Sequence, residues 1–307
     1  MIYAQLMGGL GNQLFIYSFC KRLSVETGNK VVFFFDSEDG RNLEITQFCL
    51  DESFEIIKDK FPVENISNIK IYKLFRKIIE HLPNGNMHDW FVKLASKFGV
   101  VFILEGYVEI DYKALKRLED IIVVGFFQSS KYIDCVKDVI VPEFEMKPKY
   151  EKLLRSETME TLALLKQENA VCLHIRLGDY LKPMYKERFL VCTDMYYQKA
   201  IKIIKNRVEK PVFYIFSDSI ELVKNTMPYL ADLDVRFIDN GGEQAVVIDF
   251  LMMRNCKHFI MSNSTLSWWA QYLSSNSDKI VIAPNKWLKT GYDNRDIYQE
   301  HWIQVEV

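Results

Sequence analysis

The clearest pattern lies in the second half of the chain, where short apolar runs alternate with stretches of helical spacing. Ala170-Val171-Cys172-Leu173-His174-Ile175, Val212-Phe213-Tyr214-Ile215-Phe216, Val235-Arg236-Phe237-Ile238, His258-Phe259-Ile260-Met261 and Lys279-Ile280-Val281-Ile282-Ala283 are short and rich in β-branched or aromatic side chains. Each reads as a buried strand. Residues 194–207, 220–229, 243–255 and 265–273 lie between or after these runs and carry apolar side chains at helical period. Strands alternating with helices predict a parallel, doubly wound sheet.

The first half begins in the same way, with a strand at 2–6, a helix over 13–26 that stops before Gly28, and a strand at 31–35. It then loosens, leaving an amphipathic helix over 66–82 and strands over 100–104 and 121–127. The segment 141–150, which carries Pro142 and Pro148, is the expected domain boundary. A length of 307 residues suits two domains, here 1–148 and 149–307. The expected class is α/β, with two Rossmann-like domains facing across a cleft at the carboxyl ends of their strands.

Composition narrows the functions. With 49% hydrophobic residues the chain is globular, and 39 basic against 41 acidic side chains leave a net charge of −2. No basic excess points to nucleic acid. The six cysteines are dispersed without a C-x-x-C pair, as expected of thiols in a reducing compartment. The first residues show no secretory leader, and no long apolar stretch spans a bilayer. A cytoplasmic protein is expected, with peripheral contact at the inner face of the membrane left open.

Candidate chemistry clusters at strand ends. Gly8-Gly9-Leu10-Gly11-Asn12-Gln13 joins the first strand to a helix, where backbone N–H groups can meet an anion. Leu14 replaces the third glycine of a G-x-G-x-x-G loop, so the dinucleotide signal, with Asp36 as the ribose-binding acid, is incomplete. His174-Ile175-Arg176-Leu177-Gly178-Asp179-Tyr180 ends another strand, and alternation puts His174 and Arg176 on one face. Arg176 suits a diphosphate, with Gly178 turning Asp179 back toward it; the plainer reading is a local ion pair with a packed histidine. Ser217-Asp218 ends the next strand, and Asp249 edges an otherwise apolar helix. Ser262-Asn263-Ser264-Thr265-Leu266-Ser267-Trp268-Trp269 opens a helix, where hydroxyls either cap or join the N–H groups around a phosphate. Cys172-x-His174 with Cys256-x-His258 makes a poor zinc set, and Asp232-Leu233-Asp234 precedes its strand, at the wrong end for a metal-binding pair.

Taken in order, these blocks resemble the bacterial α-1,2-fucosyltransferases. The resemblance rests on Gly8 to Phe15, Gly125-Phe126-Phe127-Gln128-Ser129-Ser130-Lys131-Tyr132, His174 to Tyr180, Phe216-Ser217-Asp218, and Asp249 through Asn263 to Trp269. It implies an inverting, metal-independent GT-B glycosyltransferase with no cofactor. The donor would be GDP-β-L-fucose, bound by 149–307, and the acceptor the 2-hydroxyl of a terminal galactose on a galactoside glycan, on the side of 1–148. Arg176 would contact the diphosphate, with His174 and Asp249 near guanine and ribose and Ser264, Thr265 and Ser267 around the phosphates. Gly11, Asn12, Asp218 and Asn263 complete the expected donor contacts, and Asp179 and Glu187 are the candidates for the base. Gln13 and Gln128, with Asn12, are expected near the acceptor. Leu177 departs from the pattern, which carries a second arginine there. Two other readings stand beside this one: a nicotinamide-dependent oxidoreductase using the glycine-rich loop and Asp36, and a non-catalytic nucleotide-sugar or glycan-binding protein.

Overall fold

In the computed structural model, residues 1–36, 40–61, 66–82, 85–104, 106–178, 191–289 and 295–307 are described. The chain divides into two compact units, Met1–Lys147 with Tyr292–Tyr298, and Pro148–Gly291 with Gln299–Val307.

The first unit is built on five parallel strands: β1 (Ile2–Leu6), β2 (Val31–Phe35), β3 (Glu55–Ile57), β4 (Val100–Ile103) and β5 (Ile121–Gly125). Their order is β3-β2-β1-β5-β4. Strands buried on both faces need no alternation, and Val31-Val32-Phe33-Phe34-Phe35 is buried at every position. Helix α1 (Leu10–Thr27) follows β1 and is buried along most of its length. It ends at Gly28, whose left-handed φ of 78° lets its N–H reach the Ser24 carbonyl at 2.8 Å. Helices α2 (Ile69–Ile79) and α3 (Asn86–Ser96) pack on each other and on β4.

Lys21 of α1 is the buried cation of this unit. It pairs with Asp51 at 2.5 Å and with Glu143, which also accepts from the Tyr17 hydroxyl at 2.7 Å. Burial alone would raise the Asp51 carboxyl, but its bonds to Lys21 and Ser53 outweigh that and bring it down to about 2.

Three features of this unit depart from the sequence pattern. β3 is a three-residue edge strand and α3 carries apolar residues on its outer face, so neither shows a clean period. The helix Lys137–Glu143 covers the start of the expected boundary segment, with Pro142 tolerated near its end. β5 stops at Gly125 because φ there is +150°, and Phe127 takes a left-handed φ of 52°.

The second unit has six parallel strands: β6 (Asn169–Ile175), β7 (Pro211–Ser217), β8 (Val235–Ile238), β9 (His258–Ile260), β10 (Val281–Pro284) and β11 (Ile303–Val305). Their order is β8-β7-β6-β9-β10-β11, which in chain order is the arrangement of the dinucleotide-binding Rossmann sheet. The helices are α4 (Ser156–Gln167), α5 (Asp194–Lys205), α6 (Ile220–Thr226), α7 (Ala245–Arg254) and α8 (Thr265–Leu273). Val171, Leu173 and Ile175 of β6 meet Tyr196, Tyr197 and Ile204 of α5 in one core. The expected α/β class with two Rossmann-like parallel sheets is the observed one.

In the second sheet the strand order reverses once, between β6 and β9; in the first, β1 and β5 are inner neighbours whose chains continue differently, β1 to β2 and β5 out of the sheet. The loops leaving the carboxyl ends of such neighbours part, and that opening is where α/β proteins bind ligands. The glycine-rich loop follows β1 and the Gly125–Gln128 turn follows β5; the His174–Gly178 loop follows β6 and Ser262–Thr265 follows β9.

A Cβ on Gly125 would fall 1.9 Å from the Ile103 carbonyl oxygen, so any side chain forces β5 from β4. We expect Gly125→Ala to cost about 3 kcal/mol or more. A lowered urea midpoint in that variant is the check.

Candidate active site

The strongest constellation lies at the β6/β9 reversal. β6 and β7 are paired so that His174 lies opposite Phe216 and Ile175 opposite Ser217, which brings Asp218 level with Arg176. The Arg176 guanidinium forms an ion pair with the Asp218 carboxylate, Nε lying 3.0 Å from Oδ2. The other carboxylate oxygen, Oδ1, accepts the backbone N–H of Leu177 and of Gly178, both at 3.0 Å. A Cβ on Gly178 would stand 2.8 Å from Asp218 Oδ2, so glycine is needed for this approach. Asp218 therefore aims Arg176, whose side chain is 26% exposed.

The plainer reading of this loop is partly what the structure has: Arg176 forms an ion pair and His174 is packed. His174 is 3% exposed instead of sharing an open face with Arg176. Its Nδ1 lies 3.1 Å from the Ser262 hydroxyl, and its carbonyl accepts from Tyr197. Burial first, then the neighbouring Arg176 charge, lowers the imidazole to about 3, against a smaller opposing effect of Asp218. His174 is thus a neutral ring joining the ends of β6 and β9.

Leu177, at the position where the resemblance leads one to expect a second arginine, is buried in the core beside Cys192, Tyr196 and Tyr197. The backbone after Arg176 turns this position inward, so position 177 contributes packing and no charge.

On the β9 side, Ser264 caps α8 by accepting the Leu266 N–H at 3.3 Å. Thr265 is half-buried in the first turn. Ser267, expected near phosphate, is instead fully buried and donates to the Ser264 carbonyl at 3.1 Å. Asn263 is also buried: its Nδ2 donates to the Trp287 carbonyl at 2.8 Å and its Oδ1 accepts from the Cys192 thiol. Trp268 and Trp269 are fully buried and anchor α8, with Trp268 stacked on Tyr272 at 4.8 Å.

Asp249 of α7 reaches the loop after β8, where its Oδ1 accepts from Asn240 Nδ2 at 2.8 Å. Burial raises its carboxyl to about 7, and Asp239 adds to this against the Asn240 bond. It stands at the carboxyl edge of the same sheet. Sequence reasoning did not single out Asn240 or bring Ser262 to His174; the only signal was that each follows a strand end.

In the first unit, Gly8 takes a left-handed φ of 69°, and a Cβ there would lie 2.5 Å from Asn12 Nδ2. Gly9 caps α1, placing Gly11 and Asn12 in its first turn. Asn12 Oδ1 accepts from Gln128 Nε2 at 2.9 Å, joining the loops after β1 and β5. Gln13, expected near an acceptor, is wholly buried: its amide donates to Gly8, Asn42 and Glu44 and accepts from Ile45. Leu14, in place of the third glycine, is fully buried too. Asp36 is half-buried at the end of β2, while Asp179 and Glu187 lie outside the described residues.

The four side chains of the zinc reading have other surroundings. Cys172 and Cys256 are buried thiols, and His258 Nδ1 accepts the Ile280 N–H at 3.1 Å. Asp232 and Asp234 are exposed before β8, at the opposite end of the sheet from Arg176. Among the described residues no group of three or more His, Cys, Asp or Glu side chains is arranged to hold a metal ion.

An arginine held by a carboxylate and a capped helix start stand at the carboxyl ends of neighbouring strands, β6 and β9, where Rossmann sheets reverse their order. Residues 102–306 match the model of glycosyl transferase family 11, and the chain belongs to that family. The oxidoreductase reading falls with that assignment. The chain is 27% identical to the Escherichia coli O-antigen biosynthesis glycosyltransferase WbnK, over 99% of this chain and all of the relative. It is also 27% identical to an E. coli alpha-1,2-colitosyltransferase, over 100% of this chain and 99% of that one. The fold is similar to that of an Arabidopsis thaliana FUT1 mutant in complex with GDP, with a TM-score of 0.54 and 10% identity, covering 92% of this chain and 70% of that chain.

We expect His174 to stay neutral across the physiological range, its ring resonances unmoved between about pH 5 and 8 by NMR. Because its folded value lies below the unfolded one, folding stability should fall as pH drops from about 6.5 toward 3.

Proposed function

We propose that the chain transfers L-fucose from GDP-β-L-fucose to the 2-hydroxyl of a terminal galactose, forming an α-1,2 linkage with inversion and without a metal ion. The observation that carries this reading is the Asp218-held Arg176 beside the start of α8. Residues 149–307 bind the donor and 1–148 serve the acceptor. The alpha-1,2 specificity named for a full-length relative supports the linkage. GDP, held by the Arabidopsis protein of similar fold, supports the nucleotide. Six cysteines without a disulfide fit a cytoplasmic protein.

In the reaction the acceptor oxygen attacks the anomeric carbon while GDP leaves from the opposite face. Negative charge grows on the departing diphosphate, and Arg176 with the N–H groups that open α8 meets it. Asp218 keeps the guanidinium from swinging away, so little reorganisation is needed as charge develops. Ser264 and Thr265 are the hydroxyls placed to join it; Ser267 and Asn263 hold the helix start and the strand end from behind. His174 and Asp249 are assigned to the nucleoside. Asp179 or Glu187 takes the acceptor proton.

The colitosyltransferase among the full-length relatives favours a second reading, in which the transferred sugar lacks the 3-hydroxyl of fucose. A site built to bond that hydroxyl rejects the deoxy sugar strongly, whereas an apolar site barely distinguishes the two. Comparing kcat/KM for the two GDP-sugars on one galactoside acceptor separates the readings. A preference for GDP-fucose is expected, turnover of GDP-colitose alone would overturn it, and GDP binding with no transfer would leave a binding protein. Activity should survive a chelator.

Arg176→Ala is expected to lower fucose transfer by about a hundredfold to a thousandfold with its circular dichroism unchanged. Near-normal turnover would sink the phosphate assignment. Asp249 accepts more strongly from ribose or guanine when ionised, and burial brings its carboxyl to about 7. The KM for the donor should therefore rise as pH falls from about 8 to 6, and Asp249→Asn should flatten that dependence while raising KM throughout. In the folded chain the raised carboxyl also favours the protonated form, so its contribution to stability declines from about pH 4 to 7, opposite to that of His174.

A further inference from the structure

The first unit carries a surface that none of this chemistry uses. Helix α2 is Ile-Lys-Ile-Tyr-Lys-Leu-Phe-Arg-Lys-Ile-Ile, with four cations and no carboxylate. Its buried stripe, Ile69, Tyr72, Phe75 and Ile79, faces α3 and β4. Lys70, Lys73, Leu74 and Lys77 share the opposite face at spacings of three and four, and all four are exposed. Among the described residues none of these lysines pairs with a carboxylate. Arg76, off that face, is taken by Glu80 at 2.8 Å.

Helix α3 repeats the plan with larger apolar groups. Val92, Ala95 and Ser96 are buried, while Met87 and Trp90 stand more than half exposed on the outer side, with Lys97 in line after the last turn. Phe98 is half exposed at the end of the hairpin and stacks on Phe75 at 6.2 Å. Leu74 on α2, Met87 and Trp90 on α3 and Phe98 just after it are thus large apolar side chains left open on a hairpin that also carries exposed lysines. Beside Trp90 a cavity of about 710 Å³ opens, walled in part by Leu94, Ile110 and Tyr112. Three lysines and three carboxylates around the cavity balance, so the charge preference of this face comes from α2.

We propose that the α2–α3 hairpin docks the chain on a bilayer of anionic phospholipid. Helices that lie in a membrane interface put Trp, Phe and Leu into the acyl boundary and lysines toward anionic headgroups. A soluble acidic partner is the competing occupant, and absent binding to anionic vesicles is the outcome that would favour it. No described helix is long and apolar enough to cross a membrane, so the contact is peripheral. The cavity beside Trp90 gives an inserted acyl chain an apolar wall. This inference does not rest on the donor or acceptor of the reaction.

The test is sedimentation of the full chain with vesicles of phosphatidylcholine alone or mixed with phosphatidylglycerol. Strong binding is expected only to the anionic vesicles, weakening with added salt. Replacing Lys70, Lys73 and Lys77 together by Ser should lower the partition coefficient by about a hundredfold, each lysine near an anionic surface contributing several-fold. Trp90 is the exposed tryptophan, since Trp268, Trp269, Trp287 and Trp302 are buried. Lipid brominated on its acyl chain should therefore quench the wild type, and Trp90→Phe should bind equally but lose most of that quenching. Since these side chains are exposed, unchanged melting temperatures are the control for folding. Absent binding to anionic vesicles, equal binding to phosphatidylcholine, or binding that both variants leave unaltered in strength and quenching would overturn the proposal.

Discussion

The Asp218 carboxylate is the group on which the rest of the site depends. It is set by the β6–β7 register, which continues past Ile175 and Ser217 to bring residue 218 level with residue 176. One oxygen takes Arg176 and the other takes two successive backbone N–H groups. Charge-assisted bonds of this kind contribute about 1.5–3 kcal/mol each when partly buried, enough to hold residues 176–178 in place. The consequences run both ways along the chain. Gly178 must lack a side chain, and Leu177 is rotated into the core, where it adds packing beneath the arginine it follows.

The same loop shows how a chain with almost no net charge can serve an anionic ligand. Among the described residues of the loops after β6 and β9, Arg176 is the cation held by a carboxylate. The histidine beside it is kept neutral by burial and by that cation, so it adds hydrogen-bonding capacity without a second charge to solvate. Asp249, farther along the edge, is raised toward neutrality by burial and repels an anion less than an exposed aspartate would. At the proposed site a diphosphate would be favoured through direction and desolvation more than through the number of charges.

Most strands could be read from the chain because in parallel sheets burial on both faces turns a strand into a continuous apolar run. Ile2–Leu6, Val31–Phe35 and Val235–Ile238 have the predicted ends, and Thr265–Leu273 is the predicted helix. What could not be read has two causes. Short edge strands such as Glu55–Ile57 bury too little to need an apolar pattern, and α3 blurs its own period with Met87 and Trp90 on the outer face. The site was legible as positions and much less as orientations. A hydroxyl or amide at a strand end is visible in sequence, but whether it points outward depends on bonds to distant partners. Ser267 and Asn263 turn inward for Ser264 and Trp287, and Gln13 turns inward for Asn42, Glu44 and Ile45.

The central strand neighbours of the two units, β1 with β5 and β6 with β9, present their loops by different means, and the difference bears on what each can bind. The β1/β5 junction depends on backbone shape. Gly8, Gly125 and Phe127 all take positive φ there, and Phe127 is held in that state by stacking on Phe19 at 3.9 Å. Such strain persists only where surrounding packing over-determines it, and it tends to mark functional turns. Its polar groups, Asn12 and Gln128, are uncharged and bonded to each other. The β6/β9 reversal has no described residue at positive φ on its loops and depends on a fixed cation and a capped helix start. A neutral, shaped edge suits a hydroxyl-rich ligand and a directed charge suits a diphosphate, which is the division of labour proposed for acceptor and donor. The strand order of the sheets does not by itself set this asymmetry in charge; it comes from which residues the chain places at the two junctions.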